Sequence, residues 1–145
     1  MTNFKKILII QTASIGDVIL ATPLLEALKH HFPDASIDIL VRKGNESLFR
    51  NHPFLHRVLI WKKSRAKYFN LLKLIFQVRK GKYDLIINIQ RFIATGLLTV
   101  FSGARVTIGF DKNPMSRFFD RKITHDIHFE KIHESERNLS LIEPL

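Results

Sequence analysis

The sequence predicts an α/β domain with a Rossmann-like, mostly parallel sheet flanked by helices, and two observations carry that expectation. Short apolar, β-branched runs alternate along the chain with longer amphipathic ones, joined by short connections. Two of the short runs, KKILIIQ and DLIINIQ, are nearly continuous in Ile and Leu, as strands are when both faces of a parallel sheet are covered. The 145 residues are enough to bury one core, and no repeat, low-complexity tract or linker divides them, so residues 1–145 read as a single domain.

The predicted strands are 5–11, 36–42, 56–61, 84–90 and 105–110. Between the first two, Val18, Ile19, Leu24, Leu25, Leu28 and Phe32 recur at helical spacing over 17–32. Pro23 would remove a hydrogen bond from the middle of that helix. Either the helix restarts at Thr22, with Thr22 as N-cap and Pro23 in the first turn, or it is kinked there. Phe32-Pro33-Asp34 ends it. A short helix fits 45–51. Over 66–80, Phe69, Leu72 and Phe76 mark an apolar stripe beside a basic one, and Gly81 is the expected stop. A further helix spans 92–101 and ends at Ser102-Gly103, and a last one covers about 133–143. That last helix leads outward, and the pattern predicts continuation into a second domain beyond Leu145.

Composition narrows the function. The hydrophobic fraction of 46% and charged fraction of 25% are those of an ordinary globular protein. With no cysteine, disulfides, zinc-thiolate sites and thiol nucleophiles are excluded. The two lysines before the first apolar run suggest a signal peptide, but the run stops at Gln11 without a small-residue cleavage site and reads as a buried strand. No apolar stretch reaches the roughly 18 residues of a membrane span, and a cytoplasmic location is expected. The formal charge is +10, and from Lys62 to Lys82 the chain carries basic side chains and no acidic one. Such a run points to an anionic partner or a membrane face. It is also compatible with simple solubility.

The strongest local signal for chemistry is the first strand followed by Thr12-Ala13-Ser14-Ile15-Gly16-Asp17 and a helix. A hydroxyl-rich loop that opens a helix presents unpaired amides at the positive end of the helix dipole, a setting for an anion. The motif has neither the Gly-Lys-Ser/Thr ending of a phosphate-binding loop nor the glycines of GxGxxG. From the residues alone, Asp17 either caps the helix or stands at the ligand edge of the sheet as a general base. A negative side chain is favoured at that end of a helix. His30-His31 and His125-x-x-His128 lack a third ligand, so no metal is expected.

Three stretches, in order, carry a family resemblance: KILIIQTASIGDVILATPLLEALKHHFPDASIDILV, YDLIINIQRFIATGLLTVFSGARVTIGFD, and His133-Glu134-Ser135-Glu136-Arg137. Together they resemble the ADP-heptose-using lipopolysaccharide heptosyltransferases of glycosyltransferase family 9. The resemblance implies the N-terminal, acceptor-side half of a GT-B fold, in which two Rossmann-like domains face each other across a cleft. It implies a C-terminal donor-binding domain outside this chain, Asp17 as general base in an inverting heptosyl transfer, and no cofactor. Thr12, Ser14 and the amides near Gly16 would line the donor phosphates or the acceptor. The implied partners are ADP-heptose, held by the other domain, and an anionic lipid-linked sugar acceptor, with peripheral contact at the cytoplasmic face of the inner membrane.

Lys62, Lys63, Arg65 and Lys67, directly after the third strand, would grip the acceptor's anions. Trp61, Tyr68 and Phe69 beside them suit a membrane interface. Arg117, Arg121 and Lys122 form a second basic group. Where the family commonly has Asp-x-Gln-Gly, this sequence has Asn88-Ile89-Gln90-Arg91, which places Gln90 and the charge of Arg91 at the edge of the fourth strand. Two rival readings are a basic nucleic-acid-binding module and a stand-alone nucleotide-binding domain. Nucleic acid is not the expected partner, because no helix-turn-helix, RNP-like or zinc-finger pattern is present and the aromatics are mostly Phe at core spacing. The nucleotide-binding reading lacks the glycines that bring a pyrophosphate close.

Overall fold

Ile7, Leu8, Ile9 and Ile10 are all fully buried, and the rest of the fold is arranged around that strand. The computed structural model describes residues 4–62, 67–123, 138–142 and 145. Its strands are β1 Lys6–Ile10, β2 Ser36–Arg42, β3 Arg57–Trp61, β4 Leu85–Asn88, β5 Val106–Phe110 and β6 Arg121–Ile123. They form one sheet in the spatial order β3-β2-β1-β4-β5-β6, with every pairing parallel. The helices are α1 Ile15–Leu20, α2 Thr22–His31, α3 Lys67–Gly81 and α4 Ile93–Val100.

The side-chain alternation of a strand sorts the core into two layers. Ile7 and Ile9 pack with Val18 of α1 and with Leu24, Leu25 and Leu28 of α2. Leu8 and Ile10 pack on the other face with Leu71, Leu74 and Val78 of α3 and Leu98 of α4. Covering both faces is why these strands read as continuous apolar runs.

The five expected strands are present, each within two residues of its predicted ends. A sixth, β6, was not expected: three residues, two of them charged, give no strand signal at an edge. Pro23 acts by restarting the helix. Ala21, with a helical backbone, joins α1 to α2 and puts Pro23 in the first turn of α2. Ala21, rather than Thr22, occupies the N-cap position. After α3 the residue with positive φ is Lys82, at 50°, rather than Gly81. The expected helix at 133–143 and the His125 and His128 pair lie largely outside the described residues.

The apolar stripe read along α3 is not the side of the helix that meets the core. The buried side of α3 is formed by Leu71, Leu74 and Val78, whereas Phe69, Leu72 and Phe76 are exposed. The helix carries two apolar stripes, and the aliphatic one wins the core because it meets Leu8, Leu40 and Ile86 of the sheet. Trp61, expected at an interface, is buried in that same layer.

The amino ends of β2 and β3 hold a buried polar knot. Asp38 lies on the α3 face, receives a hydrogen bond from the Tyr83 hydroxyl, and has Arg57 Nε at 3.5 Å and His56 Nδ1 at 3.3 Å. Arg57 is the cross-strand partner of Asp38, so register brings the charges together. Burial, then the hydrogen bond to Asp38, pushes the Tyr83 phenol well above its ordinary value.

Tyr83→Phe should cost about 1–3 kcal/mol at neutral pH, because it strips a donor from a buried carboxylate. The sign with pH follows from the raised phenol. Its stabilisation is complete below the ordinary tyrosine value of 10.0 and is lost as pH climbs toward the folded-state value. Denaturant melts of both proteins at pH 7 and in stronger alkali should therefore show the gap between them closing.

Candidate functional site

In a sheet of order 3-2-1-4-5-6, chain connections leave β1 and β4 in opposite directions, and a crevice opens between their carboxyl ends. Two loops border it, residues 11–14 before α1 and residues 89–92 before α4. Neighbouring strands lie about 4.8 Å apart, so these loops are adjacent although far apart in sequence.

Amide side chains stitch the loops together. Gln11, buried at the end of β1, accepts from Ala13 N at 3.2 Å, donates to the Asp17 carbonyl at 3.5 Å, and accepts from the Gln90 side chain. Asn45, beyond β2, donates to the Ala13 carbonyl at 3.1 Å. Asn113, beyond β5, donates to the Gln90 and Phe92 carbonyls at 3.0 and 3.1 Å. Gly96 lets that last loop come close, since a Cβ there would lie 2.2 Å from Asn113 Oδ1. Below, Asn88 is fully buried; its Oδ1 accepts from Gln90 N at 2.8 Å and its Nδ2 donates to Thr99 Oγ1 at 3.0 Å. The Thr99 hydroxyl in turn donates to the Thr95 carbonyl at 2.8 Å.

On this frame Asp17 sits in the first turn of α1, half-buried, and Ser14 is the N-cap. The Ser14 hydroxyl donates to Asp17 Oδ2 at 2.9 Å, and neither side chain caps a backbone amide. Gly16 is exposed, and a Cβ built on it meets nothing within 4 Å. Thr12 is 1% exposed and supports the loop from inside instead of lining its surface. Gln90 is likewise buried, whereas Arg91 is exposed at the β4 edge.

Lys62 and Lys67 are exposed beyond β3, two strands from β1, while Lys63 and Arg65 lie outside the described residues. Exposed Arg42 and Lys43, at the end of β2, fill the interval between Lys62 and the β1 loop. The sequence reading missed them because they close a strand and belong to no charge run. Arg121 is not part of this group. It lies on β6 beside Ile108 of β5, three strands from β1 and below the carboxyl edge. Among the described residues, no three His, Asp or Glu side chains gather as a metal site would require.

A parallel sheet of this order, with a carboxylate and amide-braced loops at its switch point, defines a Rossmann-like domain whose candidate site lies at the carboxyl edge of the strands. No family model matches the chain. Lipopolysaccharide heptosyltransferase 3 of Escherichia coli is 31% identical over 138 residues, covering 90% of this chain and 40% of that protein. Lipopolysaccharide heptosyltransferase 1 of Campylobacter coli is 24% identical over 127 residues, with 88% of this chain and 36% of the relative covered.

Among solved structures, a glycosyl transferase family 9 protein from Veillonella parvula superposes with a TM-score of 0.83 at 23% identity, over 96% of this chain and 40% of that one. The E. coli heptosyltransferase WaaC with ADP-2-deoxy-2-fluoro heptose gives 0.78 at 22% identity, over 94% and 46%. The chain is homologous to the lipopolysaccharide heptosyltransferases and has the fold of glycosyltransferase family 9. It spans about two fifths of the length of the relatives it matches.

Asn88→Asp should destabilise the domain by about 1–3 kcal/mol. A carboxylate cannot donate to Thr99, whose own hydrogen is already given to Thr95. Gly16→Ala should leave stability unchanged within about 1 kcal/mol, since the added methyl meets open space at the start of a helix. Equilibrium unfolding of the two variants beside wild type checks both.

Proposed function

We propose that this chain is the acceptor-binding domain of an inverting glycosyltransferase that transfers heptose from ADP-heptose to the lipopolysaccharide inner core, with Asp17 as general base. The observation that carries the reading is the position of Asp17. It is a half-buried carboxylate in the first turn of α1, directly after the β1 loop at the switch point, oriented through Oδ2 by the Ser14 hydroxyl. That leaves Oδ1 to take the proton of the attacking acceptor hydroxyl. As the proton passes to Asp17, the acceptor oxygen forms its bond to the anomeric carbon on the side opposite ADP. The bond from that carbon to the ADP phosphate oxygen breaks, and the anomeric configuration inverts.

Residues 1–145 would form the acceptor side of the cleft, and the nucleotide-sugar would be held by a domain outside this chain. Arg42, Lys43, Lys62 and Lys67 would receive the acceptor's phosphates and carboxylates along the β2 and β3 edge, with Lys63 and Arg65 next in the chain. Arg91 adds a positive charge on the β4 side. The names of the relatives support a lipopolysaccharide substrate, and among the described residues no helix is long and apolar enough to cross a membrane. On this reading the enzyme would work at the cytoplasmic face of the inner membrane, in peripheral contact with it.

In the complete enzyme, assayed with ADP-heptose and a lipid-linked inner-core acceptor, Asp17→Ala and Asp17→Asn should each lower kcat by about 10²–10⁴-fold. Circular dichroism of the variants should match wild type. An Asp17→Asn enzyme that retains full turnover would reduce the residue to a partner of Ser14 and move the base elsewhere.

A further inference from the structure

We propose that the outer face of α3 is a docking surface for an anionic lipid bilayer. Along α3, Tyr68, Leu72 and Phe76 follow one another at four-residue steps, and Phe69 lies one turn before Leu72. They form one stripe, exposed by 77% at Tyr68, 59% at Phe69, 55% at Leu72 and 65% at Phe76. A soluble surface rarely gathers large apolar side chains in this way, and a contiguous apolar patch usually marks a contact. The stripe is surplus to folding, because Leu71, Leu74 and Val78 already fill the core side of the same helix.

The charges around the stripe indicate the occupant. No acidic residue occurs from Lys62 to Lys82, so the charges that α3 itself places beside the stripe are all positive. Lys73 Nζ stands 4.6 Å from the centre of the Phe69 ring and Lys67 Nζ 5.8 Å from that of Tyr68. A long lysine stem lying beside an exposed ring can extend its ammonium to a phosphate while the ring enters the headgroup boundary. Aromatic and leucine side chains in the middle with lysines at the margins match a bilayer surface of negative charge. A nucleic acid would need the cations at the centre of the contact. The shallow apolar groove between α3 and α4, walled by Leu97 and exposed Phe101, extends the same surface sideways. α3 packs its Leu71, Leu74 and Val78 side on one face of the sheet and starts beyond β3, two strands from β1, so an occupied stripe leaves the crevice beside Asp17 open.

This deepens the membrane-peripheral part of the proposed function and rests on that part alone, not on the transfer chemistry. The test is co-sedimentation of the 145-residue chain with vesicles of phosphatidylcholine alone and with phosphatidylglycerol added. Wild type should bind the anionic vesicles and not the neutral ones, with binding weakened as salt is raised. Phe69→Ser combined with Phe76→Ser should lower the bound fraction about tenfold or more while leaving the thermal melt in place. A Tyr68→Trp protein should show a blue-shifted emission on the anionic vesicles, a readout that needs no loss of side chain.

Binding that is absent, equal on neutral vesicles, or unchanged in the double variant overturns the proposal. So does a wild-type dimer in light scattering that the double variant abolishes, which would assign the stripe to a second copy. Vesicle binding that persists while Asp17→Asn retains transfer would sink the catalytic reading alone. Loss of binding in the double variant with heptosyl transfer to a detergent-solubilised acceptor intact would leave both readings standing.

Discussion

The parallel pairing of β1 with β4 is the contact on which the rest of the molecule depends. It joins Ile7 to Leu85 and Ile10 to Asn88 in register, across roughly 75 residues of intervening chain. Crossovers between parallel strands are right-handed almost without exception. Once β1 and β4 are neighbours, α1 and α2 must therefore fall on one face and α3 and α4 on the other. The crevice is a by-product of that arrangement, since the connections depart on opposite sides at the one place where strand order reverses. The buried bond between the Gln11 and Gln90 side chains continues the pairing one step past the last ladder residues. It ties the loop that leads into Asp17 to the loop that carries Arg91.

That bond also explains how a loop of small residues holds a carboxylate in place. Ser14, Ile15 and Gly16 are all exposed and contribute little packing. The rigidity comes from beneath, where buried amides of Gln11, Asn45 and Asn113 satisfy loop carbonyls and amides that would otherwise be left without partners. A polar network of this kind is stable because its members are paired, and it fixes one geometry more sharply than apolar packing would. Gly16 fits the same logic. Among the described residues a Cβ there would meet nothing within 4 Å, so the loop is held by the amides beneath it and not by packing at Gly16.

The sequence made the strands legible because burial on both faces leaves continuous Ile and Leu, a pattern few other structures produce. It made the β1 loop legible because a hydroxyl-rich turn between a buried strand and a helix has few other uses. It could not show β6, where Arg121-Lys122-Ile123 pairs at an edge and buries little. Nor could it rank the two apolar stripes of α3, because periodicity reports that a face is apolar and not what lies opposite it. The aromatic stripe looked like core by composition, yet the sheet beneath accepts the Leu71, Leu74 and Val78 side instead. The amide network was illegible for a similar reason: Gln11, Asn45, Asn88 and Asn113 are scattered polar residues until the strand order assembles them.

The two departures from the family pattern at the end of β4 now separate physically. Asn88 replaces an acid, yet its side chain points into the core and has a use for both of its functional groups. The carbonyl oxygen accepts from the Gln90 amide, while the amino group donates to a Thr99 hydroxyl already committed to the Thr95 carbonyl. An amide suits that position because it can accept and donate at once, whereas a carboxylate would face a hydroxyl with no hydrogen to give. The change at Asn88 is thus absorbed within the domain, together with Thr95 and Thr99, and does not alter what the crevice presents. Arg91 is different: it stands where the family commonly has glycine, at an exposed position beside the crevice. Of the two differences, the arginine is the one that changes the surface of the crevice, adding a cation on the β4 side opposite Arg42 and Lys43. Under the proposed function, a difference in acceptor between this chain and its relatives would be expressed there.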